Sequence, residues 1–403
     1  MKQLNSRCCI AGGGPAGLIM GYLLARAGVD VIVLEKHADF LRDFRGDTVH
    51  PSTLQLFKEL GLDGGLLTRP YQKTEHLMVS ISGKPYKVAD FSRLPLEHGF
   101  IAMMPQWDLL DFVADTARAL PNFRLLMSTK AETLIEEDGK VVGLRAEGAD
   151  GALEIRSVLT VAADGRGSRL RDQSGLEVED MGAPIDVFWM RLPRAADMAL
   201  DSMAVANADG FLVLINRGDY WQCALPFPKG AADAMRAEGL EAFRERIGRL
   251  APDLAPVTGE IKSWDEVKLL TVQMDRLKTW WRTGLLCIGD AAHAMSPIGG
   301  VGINLAVQDA AAAARMLAPG LREGRVPDAM LAAVQKRRDW PARMTQRAQI
   351  AAQDRVLVPV IRGGAALKAP FILKLIDRVP ILQGLAARAV GMGLRPEHWP
   401  AES

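Results

Sequence analysis

Cysteine is scarce in this chain, and the few thiols form no recognisable pattern. Its 403 residues include four cysteines, each within an apolar, strand-like run: Cys8, Cys9, Cys223 and Cys287. They have neither the spacing of zinc ligands nor the density of a disulfide-rich secreted domain. We therefore expect buried, reduced thiols and no metal site, which favours a cytoplasmic protein.

Long hydrophobic runs and an excess of charge are also missing. No uninterrupted stretch of about 20 apolar residues occurs, so the sequence predicts no membrane-spanning helix. The formal net charge of +1 gives no general attraction to nucleic acid. The first predicted strand begins near Arg7, which leaves no room for a signal peptide. At about 100–200 residues per domain, this length favours two or three domains.

The most informative stretch is predicted as strand, glycine turn, helix and strand over residues 7–36. Its turn places Gly12, Gly14 and Gly17 in G-x-G-x-x-G register. Gly12 permits a tight turn, Gly14 lets the backbone approach a pyrophosphate, and Gly17 lets the helix pack close to the strand. Glu35 ends the second strand, where an acidic side chain can accept hydrogen bonds from a ribose. The pattern predicts a dinucleotide site without distinguishing FAD from NAD.

Two later strands end in motifs that place a carboxylate at the edge of a sheet. One buried strand runs into Asp164-Gly165, and another runs into Asp290. Open α/β sheets bind their ligands at this edge. A second glycine-rich turn follows Asp290 and leads into a helix predicted over 305–317, so its N–H groups can hold a negative or carbonyl-bearing group. His293 stands alone between alanines, and we interpret it as structural.

Between about 186 and 272 the pattern changes to short β-like runs. We predict strands over 187–192, 211–215, 220–225 and 260–264, with one helix over 240–250 among them. These elements indicate an inserted, mostly antiparallel sheet. Aromatic residues in such strands are more often core, although at strand period half of them could face a cavity. Helices are also predicted over 48–61 and 105–120.

The last part of the chain, 358–394, is apolar, with breaks at Pro370 and Pro380. Its charged residues are mostly basic. One interpretation is a helical cap that packs on the domain or on a second subunit, as in a homodimer. The other is a pair of interfacial helices that touch an anionic membrane. The sequence leaves both open.

In this order, the Gly12 turn, Asp164-Gly165 and Gly289-Asp290 resemble the FAD-dependent aromatic hydroxylases. These are single-component flavoprotein monooxygenases of the p-hydroxybenzoate hydroxylase type, and the resemblance covers residues 6 to 355. It implies an α/β fold (α+β overall): a Rossmann-like FAD-binding domain, an inserted mostly antiparallel β-sheet substrate domain and a helical C-terminal segment. The expected divisions are 1–75, 100–183 and 275–355 for the first, 76–99 and 184–274 for the second, and 356–403 for the third.

The resemblance also implies roles for individual residues around the cofactor. The turn of Gly12, Gly14, Ala16 and Gly17 would hold the FAD pyrophosphate, Glu35 with neighbouring Lys36 would lie at the adenosine ribose, and Ala131 would border the adenine. Further contacts are expected from Arg45, Gln106, Asp164, Gly165 and, at the ribityl hydroxyls, Asp290. Pro297 would lie by the flavin, and amides of the segment Gly299, Gly300, Val301, Gly302, Ile303 and Asn304 would face its N1–C2=O edge. Amides aimed at developing negative charge stabilise it at little reorganisation cost.

The mechanism that the resemblance implies is hydroxylation through a C4a-hydroperoxyflavin. NADPH or NADH would reduce FAD, O2 would react with the reduced flavin, and the distal oxygen would attack an electron-rich aromatic ring. The protein would contribute positioning, a dry cavity and gating. A phenol also needs a proton acceptor, for which the candidates are His50, His98 and Tyr220. We favour His50 as the catalytic residue with Pro297 beside the flavin, and expect His50, Trp189, Tyr220 and Trp221 to contact substrate.

Two other functions are compatible with the same cofactor motifs. The sequence has no second G-x-G-x-x-G, which argues against a two-dinucleotide reductase. The segment Tyr220-Trp221-Gln222 weakly resembles the W-x-W-x-x-P motif of flavin-dependent halogenases. This similarity leaves a prenyl or lipid reductase of the same superfamily as an alternative function. A non-catalytic protein that holds flavin and sequesters a ligand is the third possibility. The choice between NADH and NADPH is open, although Lys36, Arg42 and Arg45 would tolerate a 2′-phosphate.

Overall fold

The computed structural model describes residues 2–41, 48–194, 203–362 and 367–400. Within these ranges the chain alternates between helices and strands of several sheets. The α-helices are α1 (Pro15–Arg26), α2 (Pro51–Glu59), α3 (Asp63–Leu66), α4 (Gln106–Arg118), α5 (Arg169–Gln173), α6 (Ala232–Ala237), α7 (Leu240–Leu250), α8 (Gly302–Glu323), α9 (Asp328–Ala352), α10 (Val358–Arg362), α11 (Phe371–Arg378) and α12 (Pro380–Gly391).

The strands form two large sheets and two small ones. They are β1 (Lys2–Ala11), β2 (Val31–Leu34), β3 (Thr48–Val49), β4 (Gln72–Thr74), β5 (His76–Ile81), β6 (Lys84–Asp90), β7 (Ile101–Met103), β8 (Phe123–Leu126), β9 (Lys130–Glu137), β10 (Lys140–Gly148), β11 (Gly151–Ala162), β12 (Val178–Asp180), β13 (Ile185–Pro193), β14 (Ala204–Asn207), β15 (Gly210–Asn216), β16 (Tyr220–Pro228), β17 (Lys268–Leu270), β18 (Asp275–Leu277), β19 (Trp281–Arg282) and β20 (Leu285–Cys287).

The first large sheet has a parallel centre in the order β20-β11-β1-β2-β8. Its central strands are continuous apolar runs, as a sheet covered on both faces requires. In β1, for example, Cys8 to Ala11 are completely buried. The register pairs Ala11 with Ala162 and Ala162 with Cys287. The carboxyl ends of β1, β11 and β20 therefore lie side by side, and the chain leaves each of them at the same edge of the sheet.

The second large sheet has the order β17-β13-β16-β15-β14-β5-β6 and is antiparallel except between β14 and β5. Side chains alternate between its faces because the strand period is two. Phe188 and Met190 face a core that they share with Phe243 and Ile247 of α7. We call the opposite side, which carries Trp189, the inner face. The α/β fold class with an antiparallel second sheet is confirmed, and the domain boundaries stay a prediction.

One predicted helix was placed to start too early, and one predicted strand does not form. The helix expected over 48–61 begins only at Pro51, because the β-branched pair Thr48–Val49 forms a short strand against β7. The strand expected over 260–264 does not form, because this segment joins two 3₁₀ helices, one that ends at Glu260 and one that begins at Trp264. Ser263 favours such a turn since its hydroxyl accepts a hydrogen bond from the backbone N–H of Asp265 at 3.2 Å.

The C-terminal segment is helical and returns to the body of the protein. Pro370 and Pro380 stand at the starts of α11 and α12, as the predicted breaks require. Beyond α12, the buried carboxylate of Glu397 binds Arg337 of α9 at 2.6 Å and Arg315 of α8 at 2.8 Å. Among the described residues, no helix combines the length and apolarity needed to cross a bilayer.

Candidate active site

The glycine turn between β1 and α1 lies beside the end of β11. Gly12 has a φ of +109°, and a Cβ there would lie 2.3 Å from the carbonyl oxygen of Ala163. A Cβ on Gly17 would lie 2.0 Å from the carbonyl oxygen of Gly12, whereas one on Gly14 would meet no atom within 4 Å. Gly12 and Gly17 are thus required by packing. Gly14 opens onto space at the start of α1, where no side chain caps the helix.

Glu35 is buried beside this turn at the end of β2. Its carboxylate accepts hydrogen bonds from the backbone N–H groups of Gly13 at 3.2 Å and His37 at 3.0 Å. The backbone of Thr129 donates to the carbonyl oxygen of Glu35 at 2.8 Å. This bond brings the start of β9, and with it half-buried Ala131, close to Glu35. Lys36 is exposed.

The second motif lies against the first. Asp164 directly follows Ala163, and one of its carboxylate oxygens accepts from the backbone N–H of Arg169 at 3.1 Å. The other oxygen is buried and has no partner among the described residues. Burial, the largest effect, raises the pKa of Asp164 although several hydrogen bonds oppose it. Gly165 has a φ of +90°, and a Cβ there would meet no atom within 4 Å.

The third motif joins the same edge. A Cβ on Gly289 would lie 3.0 Å from the Cβ of Ala16, so the chain after β20 passes against the first turn of α1. Asp290 follows directly and is partly exposed, and its carboxylate accepts from Nε of Arg166 at 3.1 Å. Arg166 therefore links the second motif to the third.

The glycine-rich loop before α8 carries two left-handed residues. Gly299 has a φ of +77° and Gly300 a φ of +62°, and both follow Pro297. Thr48 of β3 donates its hydroxyl to the carbonyl oxygen of Gly300 at 2.9 Å. A Cβ on Gly302, the first residue of α8, would meet no atom within 4 Å. The amides from Val301 to Ile303 therefore lie at a helix start with free space beside it.

The side chain of Asn304 is hydrogen-bonded to α2. Its Oδ1 accepts from the hydroxyls of Ser52 at 2.6 Å and Thr53 at 2.8 Å. This side chain is buried and fixes the loop to α2. Gln106 opens α4 and is half-buried, three residues after the end of β7, the strand that pairs with Thr48. Arg45, also predicted at the cofactor, lies outside the described residues.

His50 is completely buried between the glycine loop and α12. Its Nδ1 lies 3.0 Å from the carbonyl oxygen of Val390, so Nδ1 carries the proton in this bond. Its Nε2 has no partner among the described residues. Burial lowers the pKa of His50 to about 4, and the neighbouring backbone groups of Val390 and Gly300 oppose this shift only in part. The ring is therefore neutral at neutral pH.

The three predicted aromatic residues do not share one face of the second sheet. Trp189 lies on the inner face in a cluster with Ile101, Met103 and Ile298, the last from the glycine-rich loop. Trp221 lies in the opposite core beneath α7. Tyr220, half-buried, is covered by the guanidinium of Arg191 at 3.7 Å from its ring centre.

The inner face also holds a buried glutamine that the sequence analysis did not single out. Gln222 is 1% exposed, and its Oε1 accepts from Nε of Arg217 at 3.0 Å. Its Nε2 is buried without a partner among the described residues, as is Nε1 of Trp189. A polar residue within the otherwise apolar run Tyr220–Pro228 is the signal that marks this position. Arg166 was also missed, although it directly follows Asp164-Gly165.

Comparison with known proteins identifies the family. A family model described as an FAD binding domain matches residues 5–348. The chain is 32% identical to a 6-methylpretetramide 4-monooxygenase from Streptomyces rimosus, over 94% of this chain and 91% of that relative. The chain belongs to the FAD-dependent aromatic hydroxylases.

Two further comparisons concern the breadth and the fold of this monooxygenase family. A dialkyldecalin synthase from Streptomyces rugosporus is 23% identical, over 76% of this chain and 64% of that relative. The anhydrotetracycline hydroxylase OxyS from Streptomyces rimosus shares the fold with a TM-score of 0.77 at 21% identity, over 96% of this chain and 76% of that one. The predicted family, enzyme class and cofactor are thus confirmed.

FAD is accordingly the cofactor of this monooxygenase, and NAD(P)H is the typical reductant. The geometry of the site, considered without the comparisons, also fits a dinucleotide. Space is open at Gly14 and at Gly302, at the starts of two helices, where N–H groups and the helix dipole favour anionic groups. The carboxylates of Glu35, beside Gly13, and of Asp290, which directly follows Gly289, can accept hydrogen bonds from hydroxyl groups. The individual residue assignments stay predictions.

Proposed function

We propose that this monooxygenase hydroxylates a phenolic aromatic compound that also carries a hydrogen-bond acceptor, such as a carbonyl oxygen. The carrying observation is the pair of buried, unpartnered donors on the inner face, Nε1 of Trp189 and Nε2 of Gln222. Trp189 pairs with Ala224, two residues from Gln222 on the neighbouring strand, so the two side chains are diagonal neighbours on one face. A buried donor without a partner costs about 1–3 kcal/mol, which an acceptor on the substrate would recover.

The substrate would lie between this inner face and the glycine-rich loop. Apolar side chains surround the two donors, among them Val187, Ile215 and Met103, and Ile298 brings the loop to the same cluster. Such a lining suits a flat aromatic molecule, and a few placed donors would fix its orientation. Trp221 would support the sheet from behind, and Tyr220 would lie at the margin of the pocket.

The cofactor would be held by the three motifs that meet at the sheet edge. Bound FAD supplies the oxidising chemistry with O2 and NAD(P)H. The turn of Gly12, Gly14 and Gly17, with Ala16, would bind the pyrophosphate, and Glu35 the adenosine ribose beside Lys36 and Ala131. Arg45, Gln106, Asp164, Gly165 and Asp290 would complete the binding, and amides from Gly299 to Asn304 would face the flavin beside Pro297.

His50 would serve the phenol as a hydrogen-bond acceptor. Its neutral ring and unpartnered Nε2 support this role, since Nδ1 is held as the donor by Val390. A pKa of about 4 makes the imidazole a weak base. We therefore propose that it polarises the phenolic O–H through a hydrogen bond and does not store the proton.

The decisive experiment is turnover in air with NADH or NADPH and a panel of aromatic compounds. The panel contains simple phenols, phenols with a neighbouring carbonyl, and 6-methylpretetramide, the substrate in the name of the relative from Streptomyces rimosus. We expect the carbonyl-bearing phenols to stimulate NAD(P)H oxidation and to gain one oxygen atom from ¹⁸O2. Asp290→Ala should lower FAD retention, and Asp233→Ala, an exposed aspartate, should not.

Two outcomes would contradict the proposal. Binding of an aromatic ligand without oxygen incorporation would support a non-catalytic protein that holds flavin and sequesters a ligand. Anaerobic reduction of a prenyl lipid, with no response to aromatics, would support the reductase.

A cytoplasmic location is part of the proposal, supported by four free and buried cysteines among the described residues.

A further inference from the structure

The two last helices carry a concentration of exposed apolar side chains. Eleven large hydrophobic residues are exposed in the described part of the chain, and five of them fall within residues 371–385. Phe371 is 79% exposed and Ile372 59% on α11, and Ile381 is 73% exposed on α12. Leu375 and Leu385 complete the set. We call these five side chains the apolar ridge.

The ridge is the outer side of a helix pair whose inner side is well anchored. Asp377 accepts from the backbone N–H of Lys87 in β6 at 2.8 Å. Gln383 is buried and donates to the carbonyl oxygens of Ile376 and Asp377, which ties α12 to α11. Ala387 lies in the core. The exposure of the ridge therefore belongs to the folded protein, because the helices are fixed by other side chains.

Positive charge surrounds the ridge. The helix pair and the strand beneath it, residues 84–93 and 367–394, contain seven cations and two carboxylates. The cations are Lys84, Lys87, Arg93, Lys368, Lys374, Arg378 and Arg388. Asp90 forms ion pairs with Lys87 and Arg93, and Asp377 accepts from the backbone N–H of Lys87. The cations therefore exceed the carboxylates by five charges. The whole chain has a net charge of only +1, so these cations form a local excess.

We propose that the apolar ridge with its flanking cations is a docking surface for a membrane that contains anionic lipid. Apolar side chains at the headgroup boundary and cations beside them are the two features of an interfacial helix. Each cation near an anionic bilayer strengthens binding about fivefold, which corresponds to about 1 kcal/mol. A second copy is a poorer occupant, because a two-fold interface would place the same cations against each other. This proposal goes beyond the hydroxylation proposed above and is independent of it.

The test is co-sedimentation of the flavin-loaded protein with vesicles. We expect binding to phosphatidylcholine vesicles with a quarter of phosphatidylglycerol, little binding to pure phosphatidylcholine, and a loss of binding as salt is raised. The double variant Phe371→Ser/Ile381→Ser should lower the partition coefficient more than tenfold, because two large apolar side chains would no longer be buried in the bilayer. Lys374→Gln/Arg378→Gln should lower it about thirtyfold on anionic vesicles, because two cation contributions are lost.

A matched control distinguishes vesicle binding by the apolar ridge from nonspecific binding by any exposed apolar side chain. Trp340 of α9 is 51% exposed outside the ridge, and Trp340→Ser should leave vesicle binding unchanged. Flavin content should be the same in all variants. No binding of the unaltered protein to anionic vesicles, or an equal loss in Trp340→Ser, would overturn the proposal. A dimer in sedimentation velocity that Phe371→Ser/Ile381→Ser dissociates, without any vesicle binding, would assign the ridge to a second copy and also overturn it.

Discussion

Gln222 is the residue whose environment says most about the substrate. Its carbonyl oxygen is held by Arg217, so its amide donors point away from that bond and remain buried without a partner among the described residues. A structural glutamine would satisfy both ends, because an unpaired buried donor lowers stability. Arg217 thus holds one end of the Gln222 amide, and the other end is placed to donate a hydrogen bond to a ligand.

Replacing Gln222 with leucine should weaken substrate binding while leaving the flavin site intact. We expect KM for the stimulating aromatic to rise about tenfold, the loss of about one hydrogen bond. Cys223 is the control: it is the next residue of β16 but faces the opposite core. Cys223→Ala should lower thermal stability without changing KM. An unchanged KM in Gln222→Leu would remove Gln222 from the substrate site.

His50 gives a pH dependence that belongs to a single residue. Its pKa is lowered to about 4 in the folded protein, so the folded state disfavours protonation. The stability that this neutral ring contributes is present above its ordinary pKa of 6.5 and is lost as pH falls towards 4. In His50→Asn, whose amide can still donate to Val390, this titration is removed.

The measurement is the free energy of unfolding of both proteins from pH 7 to pH 4. We expect the unaltered protein to lose about 3 kcal/mol more than His50→Asn over this range, from a shift of about 2.5 pKa units. Parallel pH profiles would show that His50 does not titrate in this way, and the proposed role as a neutral acceptor would fail with it.

At the scale of the element, the strand–turn–helix unit of β1 and α1 contains one glycine needed for folding and another expected to matter only for cofactor binding. Gly14 and Gly17 belong to the same motif, but only Gly17 is required by packing. Gly17→Ala should lower the stability of the apoprotein by about 1–3 kcal/mol, because its Cβ would overlap the carbonyl oxygen of Gly12. Gly14→Ala has room and an extended backbone, so the apoprotein should keep its melting temperature.

The same pair differs in flavin affinity. The Cβ of Gly14→Ala would fill the space into which a pyrophosphate must come, so we expect the Kd for FAD to rise at least tenfold in a fluorescence titration. Because the apoprotein remains stable, this loss could not be attributed to unfolding. Full FAD affinity in Gly14→Ala would show that the pyrophosphate binds elsewhere.

Elements with a strong periodic pattern were predicted well, and those defined by distant partners were not. Helix α7 occurs as Leu240–Leu250, where the sequence predicted it. Thr48–Val49 is a strand only because β7 lies beside it, and no local pattern reports that partner. The start of α8 at Gly302 was predicted three residues too late, since glycine is unfavourable within a helix but tolerable in its first turn.

The candidate site shows the same division. The glycine motifs follow from local backbone geometry, so the turn at Gly12 and the loop at Gly299 could be located from sequence. The inner face depends on strand register, which decides whether a side chain points to one core or the other. This is why Trp189 and Trp221, equal candidates in the sequence, lie on opposite sides of the sheet.

At the scale of the whole molecule, the C-terminus is held by a buried charge network. Glu397 is completely buried and binds Arg315, Arg337 and Arg338, which belong to α8 and α9. Arg338 also binds Asp309 at 3.0 Å, and Asp309 binds His293 at 2.6 Å. Burial disfavours both charges of this pair, but their attraction prevails, which raises the pKa of His293 and lowers that of Asp309. His293 is thereby structural, as its sequence context indicated.

This network joins residues that are distant in the chain, so its loss should lower the stability of the whole fold. Glu397→Gln keeps the shape of the side chain but leaves three guanidinium groups around a neutral amide. We expect the free energy of unfolding to fall by about 1.5–3 kcal/mol, the contribution of hydrogen bonds to a charged group. The loss stays below that of an unpaired buried charge because Arg338 keeps Asp309 and because Arg315 and Arg337 are partly exposed. In the control Glu241→Gln, an exposed carboxylate that binds Arg244, the change should be below about 1 kcal/mol. Denaturant unfolding of both variants decides the matter, and equal effects would mean that Glu397 contributes no more than a surface ion pair.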